Sequence, residues 1–136
     1  MRNYLIIEAI FVGFFCVICY KLFAIFINFQ LDTYIELFII GFFKHLIGYL
    51  IGIQTLYCNL IKDTNDNNEY QIKSNYILFE CLMEGLAFIY FGYLLKFIKI
   101  ENKILYYFLL GFSLHIISDY YGIHKLLFIY NCLKKN

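Results

Sequence analysis

Three stretches set ionisable side chains at helical spacing inside apolar sequence. They are Gly41/His45 in GFFKHLIGYLIG, Glu80/Glu84 in ECLMEGL and His115/Asp119 in GFSLHIISD. Residues four apart share one face of a helix, so each stretch presents a polar stripe. Pooled, the stripes hold two imidazoles and three carboxylates, a donor set that suits zinc or iron. His45, Glu80, Glu84, His115 and Asp119 would supply four to five ligands from facing helices, and a metal-activated water there would hydrolyse a bond at a membrane. Two other chemistries use the same groups. One is an internal network in which Lys44 pairs with Glu84 or Glu80 and the histidines are satisfied within it. The other is a proton path along the carboxylates and imidazoles.

Small residues accompany each stripe. Gly41, Gly48 and Gly52 share a narrow face with His45, while Gly85 and Gly111 flank the other two. In a membrane such a face lets one helix approach its neighbour closely and aims the polar group at that neighbour.

The elements that carry these stripes follow from composition. Hydrophobic residues make up 62% of 136 and charged residues 15%, against about 45–50% and 25% in soluble domains. A single small fold cannot hide so much apolar side chain from water. The net charge of +1 and the absence of any basic cluster exclude a nucleic-acid footprint. Phe, Ile, Tyr, Asn and Lys are abundant and Pro and Trp are absent, the residue usage of an AT-rich genome such as an organelle, a parasite or a large DNA virus.

Four apolar segments can be drawn, at about 4–29, 34–61, 76–98 and 104–120, each near the ~20 residues that cross hydrocarbon. The longest charge-free run is 46–61, so insertion must be argued energetically. In 37–58 a dozen Leu, Ile and Phe side chains contribute about −0.3 to −0.6 kcal/mol each, against roughly +3 for Lys44. The first segment follows a short basic start without an A-x-A site, which reads as an uncleaved span. The stretch 62–75 is the hydrophilic loop, and the short links near 30–33 and 99–103 make neighbouring helices antiparallel. After Asp119 the tail is expected to turn at Gly122 and lie along the interface. The expected fold is therefore all-α, a four-helix transmembrane bundle in one domain with a short interfacial C-terminal helix. No internal repeat is evident.

At a rise of ~1.5 Å per residue, His45 and His115 lie ~14 Å from the inner face and Glu84 ~12 Å, with Glu80 and Asp119 one turn nearer. Arg2, Lys62, Lys73, Lys125, Lys134 and Lys135 fall on the side of the termini, and Lys96, Lys99 and Lys103 on the other. That bias puts both termini in the cytoplasm or its topological equivalent.

Cys16 and Cys19 have the spacing of a dithiol redox motif, as in the quinone-linked disulfide-forming enzymes of bacteria, which are also four-helix membrane proteins. Inside an apolar run they read as buried structural thiols. Cys58, Cys81 and Cys132 lie toward the inner face, where no disulfide is expected if that side is reducing. Lys21 is expected to reach the outer headgroups or pair with Glu36. Tyrosines near span ends, among them Tyr57 and Tyr107, read as interfacial anchors.

KHLIGYLIG followed by GFSLHIISD resembles fragments of bacterial membrane-bound metal-dependent hydrolases, which carry His-x-x-Gly and Gly-x-x-x-His-x-x-x-Asp patterns. That resemblance implies His45, His115 and Asp119 as ligands. The Lys-His-x-x-Gly-Tyr span and the late His-x-x-x-acid followed by Gly-x-His also resemble uncharacterised small multi-pass membrane proteins of giant DNA viruses, which implies a virion or host-derived membrane. The leading expectation is a small membrane protein with a structural or partner-binding role. Its partners would be the lipid bilayer, other membrane subunits or a second copy. The alternatives are the metal-dependent hydrolase and an accessory subunit of an organellar membrane complex.

Overall fold

The computed structural model describes residues 4–26, 31–62 and 65–135. Among these lie six α-helices: α1 (Leu5–Phe26), α2 (Thr33–Leu50), α3 (Ile53–Ile61), α4 (Ile77–Lys96), α5 (Lys103–Tyr120) and α6 (Ile123–Asn131). Two three-residue strands, β1 (Tyr70–Ile72) and β2 (Cys132–Lys134), and a 3-10 turn at Ser74–Tyr76 complete the described elements. Three helices, α1, α2 and α4, are long and apolar enough to cross a membrane.

Local chemistry sets the helix ends. The Asp32 side chain accepts from the backbone N–H of Tyr34 at 3.2 Å and starts α2. The Asn102 side chain accepts from those of Ile104 and Leu105 and starts α5, each satisfying donors that a first turn leaves bare. The second apolar segment, expected as one span over 34–61, is two helices. Gly52 takes φ +80° between them, a left-handed conformation that glycine adopts without a Cβ clash. Gly122, at φ +71°, breaks the chain likewise between α5 and α6, where the sequence expects a turn.

The fold is mostly helical, as expected, but the stretch 62–75 is more than a plain loop. Strand β1 pairs antiparallel with β2, Tyr70 opposite Lys134 and Ile72 opposite Cys132. The Tyr70 hydroxyl donates to Asp66 at 2.5 Å and the backbone N–H of Asn68 at 2.9 Å. Those donors, the phenol first, hold the Asp66 carboxyl down at about 2.

Helix α1 packs chiefly against α5, and α2 against α4, each pair antiparallel. The contacts are reciprocal. A methyl placed on Gly13 of α1 would lie 2.8 Å from the Phe108 ring of α5, and one on Gly85 of α4 would lie 2.7 Å from the Phe38 ring of α2. A methyl on Gly111 would meet Cys16 at 2.8 Å and the Val12 carbonyl oxygen at 3.0 Å. One on Gly41 would meet Phe88 at 2.7 Å and the Glu84 carbonyl oxygen at 2.9 Å. Contacts exchanged in this way are those of two halves related by a two-fold axis.

The chain is accordingly an internal repeat, contrary to the reading of its letters. Asp32 matches Asn102, Phe38 matches Phe108, Gly41 matches Gly111, His45 matches His115 and Gly52 matches Gly122. Glu8 and Gly13 of α1 match Glu80 and Gly85 of α4 in the same way. Helices α2 and α5 both have 18 residues, and α3 and α6 both have nine. Inspection misses the repeat because most matched positions differ, with Leu, Ile and Phe exchanged on apolar faces.

Cys16, Leu37, Ile40, Phe88, Tyr107 and Leu110 form the buried core between the helices. Tyr107 is therefore no interfacial anchor: it stacks on Tyr20 at 4.4 Å and donates to Glu36 at 2.8 Å. Glu36 also lies 3.6 Å from Lys103, while Lys21 is exposed, so the expected Lys21–Glu36 pair is replaced by Lys103–Glu36. Outward faces are apolar, with Phe11, Phe14 and Ile18 on α1 and Leu82, Leu86 and Tyr90 on α4 exposed.

Candidate functional site

The polar stripes converge where the repeats meet. Lys44 of α2 donates to Glu84 of α4 at 2.5 Å and lies 5.4 Å from the centre of the Phe88 ring. One turn along, His45 Nε2 lies 3.1 Å from Glu80 Oε2. In the matching position His115 Nε2 of α5 lies 3.4 Å from Glu8 Oε2 of α1. Each histidine thus reaches into the other repeat for its carboxylate.

The short helices add a second layer. Gln54 of α3 places its amide nitrogen 2.8 Å from His45 Nε2. Asn131, at the end of α6, donates to the other oxygen of Glu80. His124 of α6 sets Nδ1 2.9 Å from the Tyr57 hydroxyl and 3.2 Å from Asp119 Oδ1. The His115 and His124 rings lie 4.7 Å apart, with Tyr57 set edge-on to both.

Most of these groups, though not Glu8, Phe88 or Asp119, line a cavity of about 220 Å³. Of the five residues read from the sequence as metal ligands, His45, Glu80, Glu84 and His115 stand on its wall. Asp119 is not on the wall and contacts His124, which is. The structure brings the stripes together but gives each carboxylate a separate partner: Glu84 has Lys44, Glu80 has His45 and Asn131, and Asp119 has His124. Among the described residues no three His, Cys, Asp or Glu side chains form a group that could hold a metal ion. Glu84 is already engaged by the ammonium of Lys44 at 2.5 Å.

Sequence reasoning passed over Glu8, Gln54, Tyr57, His124 and Asn131. The signal for Glu8 was present in its match to Glu80 across the repeat. The others sit on helices whose direction depends on the glycine breaks, so spacing alone did not aim them at the site.

The cysteines divide into two kinds. Cys16, Cys19 and Cys81 are buried free thiols. Cys58 of α3 and Cys132 at the start of β2 form a disulfide, contrary to the expectation of reduced thiols on this face. It bridges 74 residues of sequence and clasps α3 to the end of α6, and both its cysteines line the cavity.

No protein family, curated protein or solved structure compared with this chain matches it.

Proposed function

We propose that the chain is an integral membrane protein of four crossing helices, α1, α2, α4 and α5, with a structural or partner-binding role. The observation that carries this reading is the pair of exchanged bridges, His45–Glu80 and His115–Glu8, together with Lys44–Glu84. Charged groups at membrane depth are costly unless they face one another, and here they join helices of different repeats. Helix α5 is the least apolar of the four and crosses as the partner of α1, whose outer face is apolar. The exposed Phe, Leu and Tyr side chains of α1 and α4 are the surfaces for lipid or for another membrane subunit.

The Cys58–Cys132 bond supports an orientation with α3, α6 and β2 on an oxidising side. The lysine and arginine bias argues the opposite, but its margin is narrow and it acts only during insertion, whereas a disulfide must survive its compartment.

The test is carbonate extraction followed by maleimide labelling of single exposed cysteines near residues 66 and 100, in sealed and in permeabilised membranes. Retention in the pellet and labelling of the two sites from opposite sides are the expected results. Release into the supernatant, or labelling from one side only, overturns the reading.

A further inference from the structure

The cavity lies between the repeats, so matched positions build its wall twice, and the differences between halves show what it is shaped for. Lys44 and Glu84 stand where the other half has Leu114 and Val12. At these matched positions one half is charged and the other apolar. Among the described lining residues the carboxylates are Glu80 and Glu84, against the single ammonium of Lys44.

Gln54 adds a further acceptor. Its amide nitrogen lies 2.8 Å from His45 Nε2 and donates to the His45 carbonyl oxygen at 3.4 Å, which orients the amide. Its Oε1 is then buried with no partner among the described residues, a position that costs free energy until a donor fills it. Phe15, Tyr57 and Phe128 also line it, and aromatic rings attract a cation.

We propose that this cavity binds a small organic cation, a protonated amine with an apolar, aromatic body. The ammonium meets Gln54 and Glu80, and the body lies against Val12 and Leu114. Since an apolar cavity of about 150 Å³ admits benzene, one of about 220 Å³ admits roughly nine heavy atoms. The site is a property of the cavity and stands apart from the structural role of the bridges around it.

The experiment is calorimetric titration of the full chain in lipid nanodiscs with 2-phenylethylammonium at pH 7, against empty nanodiscs. Its neutral and anionic counterparts, 2-phenylethanol and 3-phenylpropionate, are titrated alongside. Saturable binding of one ammonium per chain is expected, at least tenfold tighter than the alcohol, with no binding of the carboxylate. Q54L should weaken it roughly tenfold, the loss of one hydrogen bond to a charged group. S118F, which fills the cavity, should abolish it, with circular dichroism confirming the fold of both variants. Heat no greater than that of empty nanodiscs, or equal affinity for ammonium and alcohol, overturns the proposal. So does unchanged binding in both folded variants. The comparison of the three ligands on the unmodified chain decides the matter even where a variant fails to fold.

Discussion

His115 of α5 reaches Glu8 of α1 at 3.4 Å, and the contact is the counterpart, across the repeat, of His45 and Glu80 at 3.1 Å. Two helix pairs far apart in sequence thus use one device. In each, the histidine lies beyond the glycine of the close approach, Gly111 or Gly41, on the helix that faces the carboxylate. Each pair should therefore show favourable coupling in its own double-mutant cycle, of about 0.5–3 kcal/mol. Alanine variants of His45, Glu80, His115 and Glu8, melted in detergent, measure it. Strict additivity within either pair would show that the bridge contributes nothing.

The Lys44–Glu84 pair should behave asymmetrically. K44M leaves a partly buried carboxylate without its ammonium and should cost about 1–3 kcal/mol, while the double variant K44M/E84L should recover most of that loss. The second repeat already has this apolar form, as Leu114 and Val12. Thermal stability by fluorescence-detected size exclusion checks the order; a double variant no better than the single one would contradict it.

Glycines of the same type should differ by position. Alanine at Gly85 or Gly13 drives a methyl to within 2.8 Å of a phenylalanine ring, and overpacking of that kind costs about 1–3 kcal/mol. At Gly48 the nearest atom would lie at 3.6 Å, so alanine there should gain up to about 1 kcal/mol of helix propensity. At Gly52 and Gly122 nothing crowds the site, and alanine should lose roughly 1–2 kcal/mol through the left-handed backbone alone. Melting temperatures of the five variants give the comparison.

Thiol counting tests the clasp. Denatured without reductant, the chain should expose three reactive thiols, Cys16, Cys19 and Cys81, and after reduction all five. The C58S variant should lose roughly 2–4 kcal/mol of stability, and reductant should then have no further effect on its melting.

The Asp66–Tyr70 contact sets a pH dependence at the strand pair. A carboxyl held low by the fold stabilises it above the carboxyl's ordinary value, near 3.9. That contribution should fade as pH falls through about 2. The chemical shifts of Asn68 and Tyr70 amides should follow it, and D66N should flatten the curve. A midpoint near 4 in the unmodified chain would show that the phenol does not hold the carboxylate.

Much of the helical fold was legible in the letters. The apolar runs containing α1, α4 and α5, the turn at Gly122 and the facing of Lys44 toward Glu84 follow from local rules. Charged groups in an apolar run must find partners, and glycine ends a helix wherever the backbone turns left-handed. The break at Gly52 followed the same rule but was hidden, because apolar residues continue on both sides of it.

The sequence by itself determined that the chain is mostly helical and apolar, with ionisable groups set at helical spacing inside its apolar runs. Only the tertiary structure decided which carboxylate each histidine takes, that Cys58 closes on Cys132, and that matched positions of the two halves exchange their contacts. The physical reason is that composition and periodicity act within one helix. Partner choice depends on the angle and height at which two helices meet, and here Gly13, Gly41, Gly85 and Gly111 set that approach through contacts distant in sequence.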